Sequence, residues 1–233
     1  MNQSEFLKEI NKLGISLDEK RLEQLEEYAN YLLEYNTHTN LTAIKTKEEV
    51  YLKHFYDSLT LSKIYEFKNQ TLLDVGTGAG FPGLVLAITF PNLKVTLLDS
   101  NNKKTTFLKE CVQRLHLKNV EIITSRAEDF ARNHREEFDV VVSRAVASLR
   151  ILMELNIPSI KVGGHFLAMK GNAKEEIEEA SSAFQKLFSI IEEQLEFDLP
   201  SDAGHRTLLK VKKEEITPVK YPREYSKIKK QSL

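Results

Sequence analysis

Two hydrophobic periods divide the chain. Over the first seventy residues apolar positions recur at helical spacing, with Phe6, Leu7, Ile10 and Leu13 on one face and Leu22, Leu25, Tyr28, Ala29, Leu32 and Leu33 on the next. Ser16 with Glu19, and Thr46 with Glu49, have the spacing at which an N-cap hydroxyl and a third-position carboxylate satisfy the free amides of a first helical turn. Helices are therefore expected to begin near 17 and 47. From residue 71 the period shortens. Apolar runs at 71–75, 94–98, 120–124, 138–143 and 164–169 predict strands, with helical stretches between them; in 102–117, Phe107, Leu108, Cys111, Val112 and Leu115 share one side. Residues 172–188 predict one strongly acidic helix with Ile177, Ala180 and Phe184 facing in. This alternation predicts an α/β fold whose mostly parallel sheet is covered on both faces. Two late runs, 190–197 and 206–212, are separated only by a loop containing Pro200 and Gly204, and predict a closing antiparallel hairpin.

Composition narrows the class. With 233 residues, 41% apolar and 29% charged, the chain can bury a real core, which excludes disorder and collagen-like repeats. One cysteine, Cys111, cannot form an internal disulfide and has no zinc-ligand spacing around it, so no metal is expected and a reducing cytoplasm fits. The first residues show no basic stretch leading into an apolar one, and no run approaches the roughly 18 apolar residues of a membrane span. The expectation is a protein neither exported nor membrane-bound. A net charge of -1 argues at first against a polyanionic partner. Counted by segment, however, the charge is -3 over 1–70, +3 over 71–170, -6 over 171–199 and +5 over 200–233. The total conceals two basic regions.

The most informative stretch is the strand at 71–75 running into Gly76-Thr77-Gly78-Ala79-Gly80-Phe81-Pro82-Gly83. At the carboxyl edge of a parallel sheet such a turn lets a nucleotide-like cofactor approach the backbone. An acid about 20 residues on can then receive the ribose hydroxyls, and Asp99 supplies it. Two cofactors compete. Residues 78–83 formally satisfy the dinucleotide pattern, which would admit NAD. Yet an acid, Asp74, stands two residues before Gly76, and an acid followed by Gly76-x-Gly78-x-Gly80 resembles the S-adenosylmethionine methyltransferases. That cofactor has no pyrophosphate but carries an ammonium and a sulfonium, which Asp74 suits better than a phosphate. The closing hairpin also resembles the seven-stranded sheet of those enzymes, whose last strand runs antiparallel. In that fold the loop after the third strand holds the adenine, which makes Ala127 and Glu128 candidates; a plain helix start with acids in its first turn is the alternative. No Asn-Pro-Pro-aromatic clamp follows the fourth strand, against exocyclic adenine methylation, and Cys111 sits on an apolar helix face, against covalent pyrimidine chemistry. What remains is transfer to an atom already nucleophilic or easily deprotonated, driven by alignment.

Several blocks together are more specific: Asn40-Leu41-Thr42, His54-Phe55-Tyr56-Asp57-Ser58, residues 74–83, Leu98-Asp99-Ser100 with Lys103-Lys104 and Phe107-Leu108, Arg126-Ala127-Glu128, Ser143-Arg144-Ala145-x-Ala147-Ser148-Leu149, and Lys170-Gly171. Over about residues 36–225 the chain resembles the RsmG family, also called glucose-inhibited division protein B. The resemblance implies a Rossmann-like class I methyltransferase that places a methyl group on N7 of one guanine in 16S, small-subunit, ribosomal RNA. The expected organisation is an N-terminal helical extension over 1–66 packed on the core, a methyltransferase domain over 67–216 and a basic tail over 217–233. Carried over by residue, the resemblance implies that Gly76 and Phe81 line the cofactor, Ala127 and Glu128 contact its adenosine part, and Arg144 completes the pocket. Gly78 belongs to the same turn, and Asp99 is added on the ribose argument. Phe81 is read as stacking on the ligand, or as a core aromatic behind the turn.

Guanine N7 has a free lone pair, so no general base is expected; a cation reaching O6 would serve, and Arg144 and Lys170 are eligible. Salt bridges to the acidic helix are the alternative for both. His54, Asp57 and Ser58 form either a lid that seats the guanine or a network anchoring the N-terminal helices. Lys210, Lys212, Lys213, Lys220, Arg223, Lys227, Lys229 and Lys230 make a basic segment suited to phosphates, or a solvated tail. The family's usual glycine- and proline-containing ending is replaced after Tyr221-Pro222-Arg223. The expected partner is 16S ribosomal RNA or the assembling small subunit, with no membrane and no obligatory protein partner. The other readings are a small-molecule methyltransferase of the same fold and a nucleotide-sensing division regulator without catalysis.

Overall fold

In the run Thr71–Val75 (β1) every residue after the first is buried, as expected of a strand covered on both faces. The computed structural model describes residues 1–144 and 147–233. β1 is followed by β2 (Lys94–Asp99), β3 (Val120–Thr124), β4 (Phe138–Arg144), β5 (Ile160–Lys170), β6 (Ser189–Asp198) and β7 (His205–Lys213). They form one sheet in the order β3-β2-β1-β4-β5-β7-β6. β1 to β5 pair in parallel, whereas β7 inserts antiparallel between β5 and β6, giving the expected mostly parallel sheet and closing hairpin. β1 pairs with β2 on one side and β4 on the other, and the Ser143 hydroxyl donates to the Val75 carbonyl at 3.0 Å across that junction. The strand order reverses there, so a ligand crevice is expected at the carboxyl ends of these strands.

Helices α1 (Gln3–Asn11), α2 (Glu19–Thr39) and α3 (Lys47–Val50) precede the sheet. The cap expected at Ser16 lies two residues later, where the Asp18 carboxylate accepts from Arg21 N. Thr46 does cap α3, accepting from Glu49 N at 3.3 Å. α3 continues as a π-helical segment (Tyr51–Tyr56) and then α4 (Asp57–Leu59). A π turn widens the helix and loosens its carbonyls, a feature common at functional sites. α5 (Gly83–Thr89), buried at every position, packs against β2 on one side and α2 and α4 on the other. One apolar cluster thus runs from Phe6 and Leu25 through Leu84 to Leu97.

α6 (Asn102–Arg114), α7 (Ala127–Asn133) and α8 (Leu149–Asn156) complete the crossovers, and Cys111 is buried in the core. The acidic stretch departs from expectation. It is two short helices, α9 (Lys174–Glu179) and α10 (Ser181–Lys186), because the chain bends at Ala180, where ψ is 1°. The bend lets Ala173, Ala180, Ala183 and Leu187 bury, while Ile177 and Phe184 are only partly covered. β5 also starts earlier than its apolar pattern, at Ile160, because its register against β4 shifts between Phe138 and Val140.

The final segment is no free tail. Tyr221, Ile228 and Leu233 are buried, the last helix α11 (Tyr225–Lys230) packs on α8, and Arg223 donates to both carboxylate oxygens of the fully buried Glu154 at 2.8 and 2.6 Å. Lys213 is likewise fully buried, donating to the Ile160 carbonyl at 2.8 Å and to Glu136 at 3.2 Å, and Lys210 pairs with Glu192 at 2.8 Å. Those three cations are therefore taken by carboxylates and unsuited to phosphate. Lys227, Lys229 and Lys230 make no ion pair among the described residues.

Candidate cofactor pocket and its neighbour

The turn after β1 is shaped by Asp74. Its Oδ2 accepts from the Thr77 hydroxyl and from Gly83 N, both at 2.7 Å. The side chain is fully buried, does not line the pocket, and has Oδ1 without a partner, so burial pushes its pKa up to about 6. The expectation that Asp74 meets a cationic ligand directly gives way to a role in folding the turn. A methyl group on Gly83 would lie 2.5 Å from Leu97 Cδ2 and 2.7 Å from Asp74 Cβ. Gly83→Ala is therefore expected to destabilise by about 1–3 kcal/mol in urea denaturation. Gly78, at φ +64°, presents bare backbone, and a Cβ there would meet only the Gly76 carbonyl at 4.0 Å.

Around this turn lies a pocket of about 520 Å³, a size suited to a nucleoside-bearing ligand. Gly76, Gly78, Phe81, Asp99, Ala127, Glu128 and Arg144 all line it, as do Leu41, Thr42, His54, Lys104 and Tyr225. Asp99 is held by Gly78 N at 3.0 Å and Asn101 N at 2.9 Å, with Lys104 Nζ 3.6 Å away. Glu128 opens α7 and receives Arg126 Nε at 3.2 Å. Phe81 is stacked with His54 (centroids 4.0 Å apart, 16°) and with Tyr28 (5.4 Å, 20°). Its stacking surface is thus occupied by protein, and it serves as wall rather than as a platform for the cofactor.

Arg144, at the end of β4, gathers the N-terminal helices. Nη1 donates to the Lys53 carbonyl of the π segment at 3.1 Å and to Asp57 Oδ2 at 3.2 Å, and Nη2 lies 3.1 Å from His54 Nδ1. Asp57 Oδ1 also accepts from Arg206 Nε at 2.8 Å, and Ser58 donates to the His54 carbonyl at 2.6 Å. Nδ1 also lies 3.2 Å from the Lys53 carbonyl, and Nε2 lies 2.9 Å from Thr42 Oγ1, so both ring nitrogens are engaged by protein. Burial, reinforced by the Arg144 charge, pushes His54 down to about 3. Asp57 and Ser58 are buried, and neither lines the first pocket. This geometry ties the N-terminal helices to β4 and β7, as the anchoring alternative considered from the sequence has it, while His54 also faces both pockets and Asp57 the second.

His54, Arg144 and Ala147 also form the wall of a second pocket of about 540 Å³, lined besides by Lys53, Asp57, Lys170, Glu176 and Arg206. Lys170 Nζ donates to the Ala147 carbonyl at 2.7 Å and to Glu176 Oε2 at 2.8 Å. The salt bridge to the acidic helix, considered for Lys170, is thus present. Ala145 of the Ser143 to Leu149 block lies outside the described residues. Sequence reasoning gave no role to Thr42, Lys104, Tyr225, Lys53, Glu176 or Arg206. The first two lie in or beside quoted blocks and could have been found there, whereas Arg206 joins Asp57 across 149 residues without any local signal.

The sheet has the order of class I methyltransferases, and solved structures agree. A SAM-dependent methyltransferase from Aquifex aeolicus superposes with a TM-score of 0.54 at 16% identity, covering 74% of this chain and 96% of its own. TYW2 from M. jannaschii, in complex with AdoMet, has a TM-score of 0.54 at 14% identity, covering 85% and 78%. The acids Asp99 and Glu128 and the open backbone of Gly76 and Gly78 fit S-adenosylmethionine, whose ribose and amino groups donate and whose cationic centres favour oxygen neighbours. In sequence, the chain is 48% identical to the ribosomal RNA small subunit methyltransferase G of Bacillus cytotoxicus, over 96% of this chain and 95% of that one. It is 46% identical to the protein of that name from Acetivibrio thermocellus, over 94% and 92%. Residues 21–199 match the family described as GidB, rRNA small subunit methyltransferase G, and the chain belongs to that family.

Proposed function

We propose that the chain transfers the methyl group of S-adenosylmethionine to N7 of a guanine in 16S ribosomal RNA, as free RNA or in the assembling small subunit of the cytoplasm. The observation that carries the reading is the second pocket: it shares a wall with the cofactor pocket and is lined by Lys53, Arg144, Lys170 and Arg206, and among the described residues its carboxylates are paired with those cations, Asp57 with Arg144 and Arg206 and Glu176 with Lys170. His54 is neutral with both ring nitrogens engaged, and Asp57 is bonded by two arginines. Such a pocket suits an acceptor that needs no deprotonation, and guanine N7 is one. The cofactor supplies an electrophilic methyl group on sulfur.

The chain's own residues orient and exclude water. The turn at Gly76 and Gly78 with Asp99 fixes the adenosine end, and Arg144 holds the wall between the two pockets. Lys170 has three donor hydrogens and two acceptors within 2.8 Å, which leaves one for guanine O6. Lys227, Lys229 and Lys230 are suited to salt-sensitive phosphate contacts. A small-molecule acceptor or a purely regulatory role would leave these cations without a purpose.

The test is tritium transfer from the cofactor into free 16S RNA and into small subunits at several assembly states, followed by nucleoside analysis. N7-methylguanine is expected, with a rate nearly independent of pH between about 7 and 9 because no base titrates. Label in another nucleoside, or none in any assembly state, would overturn the reading.

A further inference from the structure

The pocket wall beside Arg126, Ala127 and Glu128 contains a residue from the far end of the chain, Tyr225, the first residue of α11. Two interactions fix where this ring sits. The Arg126 guanidinium carbon lies 4.7 Å from the ring centroid, while Arg126 Nε is 3.2 Å from Glu128 Oε1, so one cation holds both the ring and the carboxylate. Behind the ring, α11 is docked through fully buried Ile228, and the chain leading into it is clamped by Arg223 on Glu154 and by Arg132 on Glu224 at 2.7 Å. An aromatic ring kept in this way at the wall of a nucleoside-sized pocket, next to the loop that opens α7, offers a purine the surface that Phe81 cannot.

We propose that Tyr225 binds the adenosine end of the cofactor, positioned by Arg126 and the docked carboxyl-terminal helix, so that this segment builds one wall of the cofactor pocket. The proposal rests on S-adenosylmethionine being the cofactor, but not on the identity of the methylated base. It gives the divergent ending of this chain a function other than RNA contact. Arg126 acts as a positioning residue, since removing it frees both the ring and Glu128.

Calorimetric titration with S-adenosylhomocysteine, which cannot turn over, tests this on the full chain. Tyr225→Ala is expected to weaken binding roughly tenfold, within the range of about five- to a hundredfold that loss of one base–aromatic stack produces. Tyr225→Leu, which keeps an apolar side chain for docking, should lose nearly as much, whereas Tyr225→Phe should stay within about twofold of the parent. Adenosine, measured by competition, should lose the same factor, because the ring acts on the part the two ligands share. Unchanged affinity in Tyr225→Ala and Tyr225→Leu, or a loss seen with S-adenosylhomocysteine but not with adenosine, would overturn the proposal. If the parent protein itself failed to bind S-adenosylhomocysteine, the cofactor assignment would fail instead.

Discussion

Replacing Arg144 by methionine is expected to lower methyl transfer to ribosomal RNA by at least about a hundredfold in a single-turnover assay, the order seen when a preorganised donor is removed beside a reacting centre. The side chain faces both pockets, and its contacts with the Lys53 carbonyl, Asp57 and His54 set the distance between them. Stability should fall as well, by about 2–4 kcal/mol in urea denaturation, because Asp57 stays buried with Arg206 as its remaining partner. The two losses have different origins. Adding Asp57→Asn to Arg144→Met removes the undercompensated charge and should recover most of the stability, but little of the rate. Arg144→Lys should stay within about tenfold of the methionine variant, since one ammonium cannot reproduce a fork that bonds three groups at once. A normal rate in Arg144→Met would remove Arg144 from the pocket wall as a functional element.

The parallel half of the fold was legible because burial on both faces leaves short apolar runs, as at Leu72-Leu73 in β1 and Val140-Val141-Val142 in β4, and because glycines mark where the backbone must be bare. The pattern failed where geometry broke a period that composition continued. The acidic stretch keeps helical spacing through Ala180, yet the chain turns there, and the start of β5 is hidden by its register shift. Among the cofactor candidates, all seven lie on one pocket because they belong to consecutive loops at one sheet edge. The residues that were missed come from elsewhere. Arg206 and Tyr225 reach the pockets through tertiary packing, and the apolar positions that dock the tail, Tyr221, Ile228 and Leu233, are spaced too widely among lysines to form a periodic signal. Charge counting misled at Lys213 and Arg223 for the same reason, since it could not show that Glu136 and Glu154 take them.

His54 and Asp74 are expected to pull acid stability in opposite directions. Burial and the Arg144 charge lower His54 to about 3, against roughly 6.5 in the unfolded chain. Between those values the unfolded state takes up a proton that the folded state refuses, so this group's contribution is lost as pH falls from about 6.5 to about 3. Asp74 has the reverse sign. Burial raises it to about 6, against roughly 4 unfolded, so from about pH 6 down to 4 the folded state takes up the proton first and gains stability as acid is added. Each group contributes a slope of up to about 1.4 kcal/mol per pH unit, and in the window between pH 4 and 6 the two nearly cancel. Single variants separate them. His54→Phe keeps a ring against Phe81, so its stability relative to the parent should rise by about 2–3 kcal/mol between pH 6 and pH 4. Asp74→Asn should fall by a similar amount over the same interval. Urea denaturation at pH 4, 5, 6 and 7 reads both, and differences of the same sign would refute the assignment of either group. Ring nitrogen spectra at pH 5 should still show His54 neutral. The same desolvation that makes His54 costly in acid is what keeps this imidazole, which lines both pockets, from acting as a base near neutral pH.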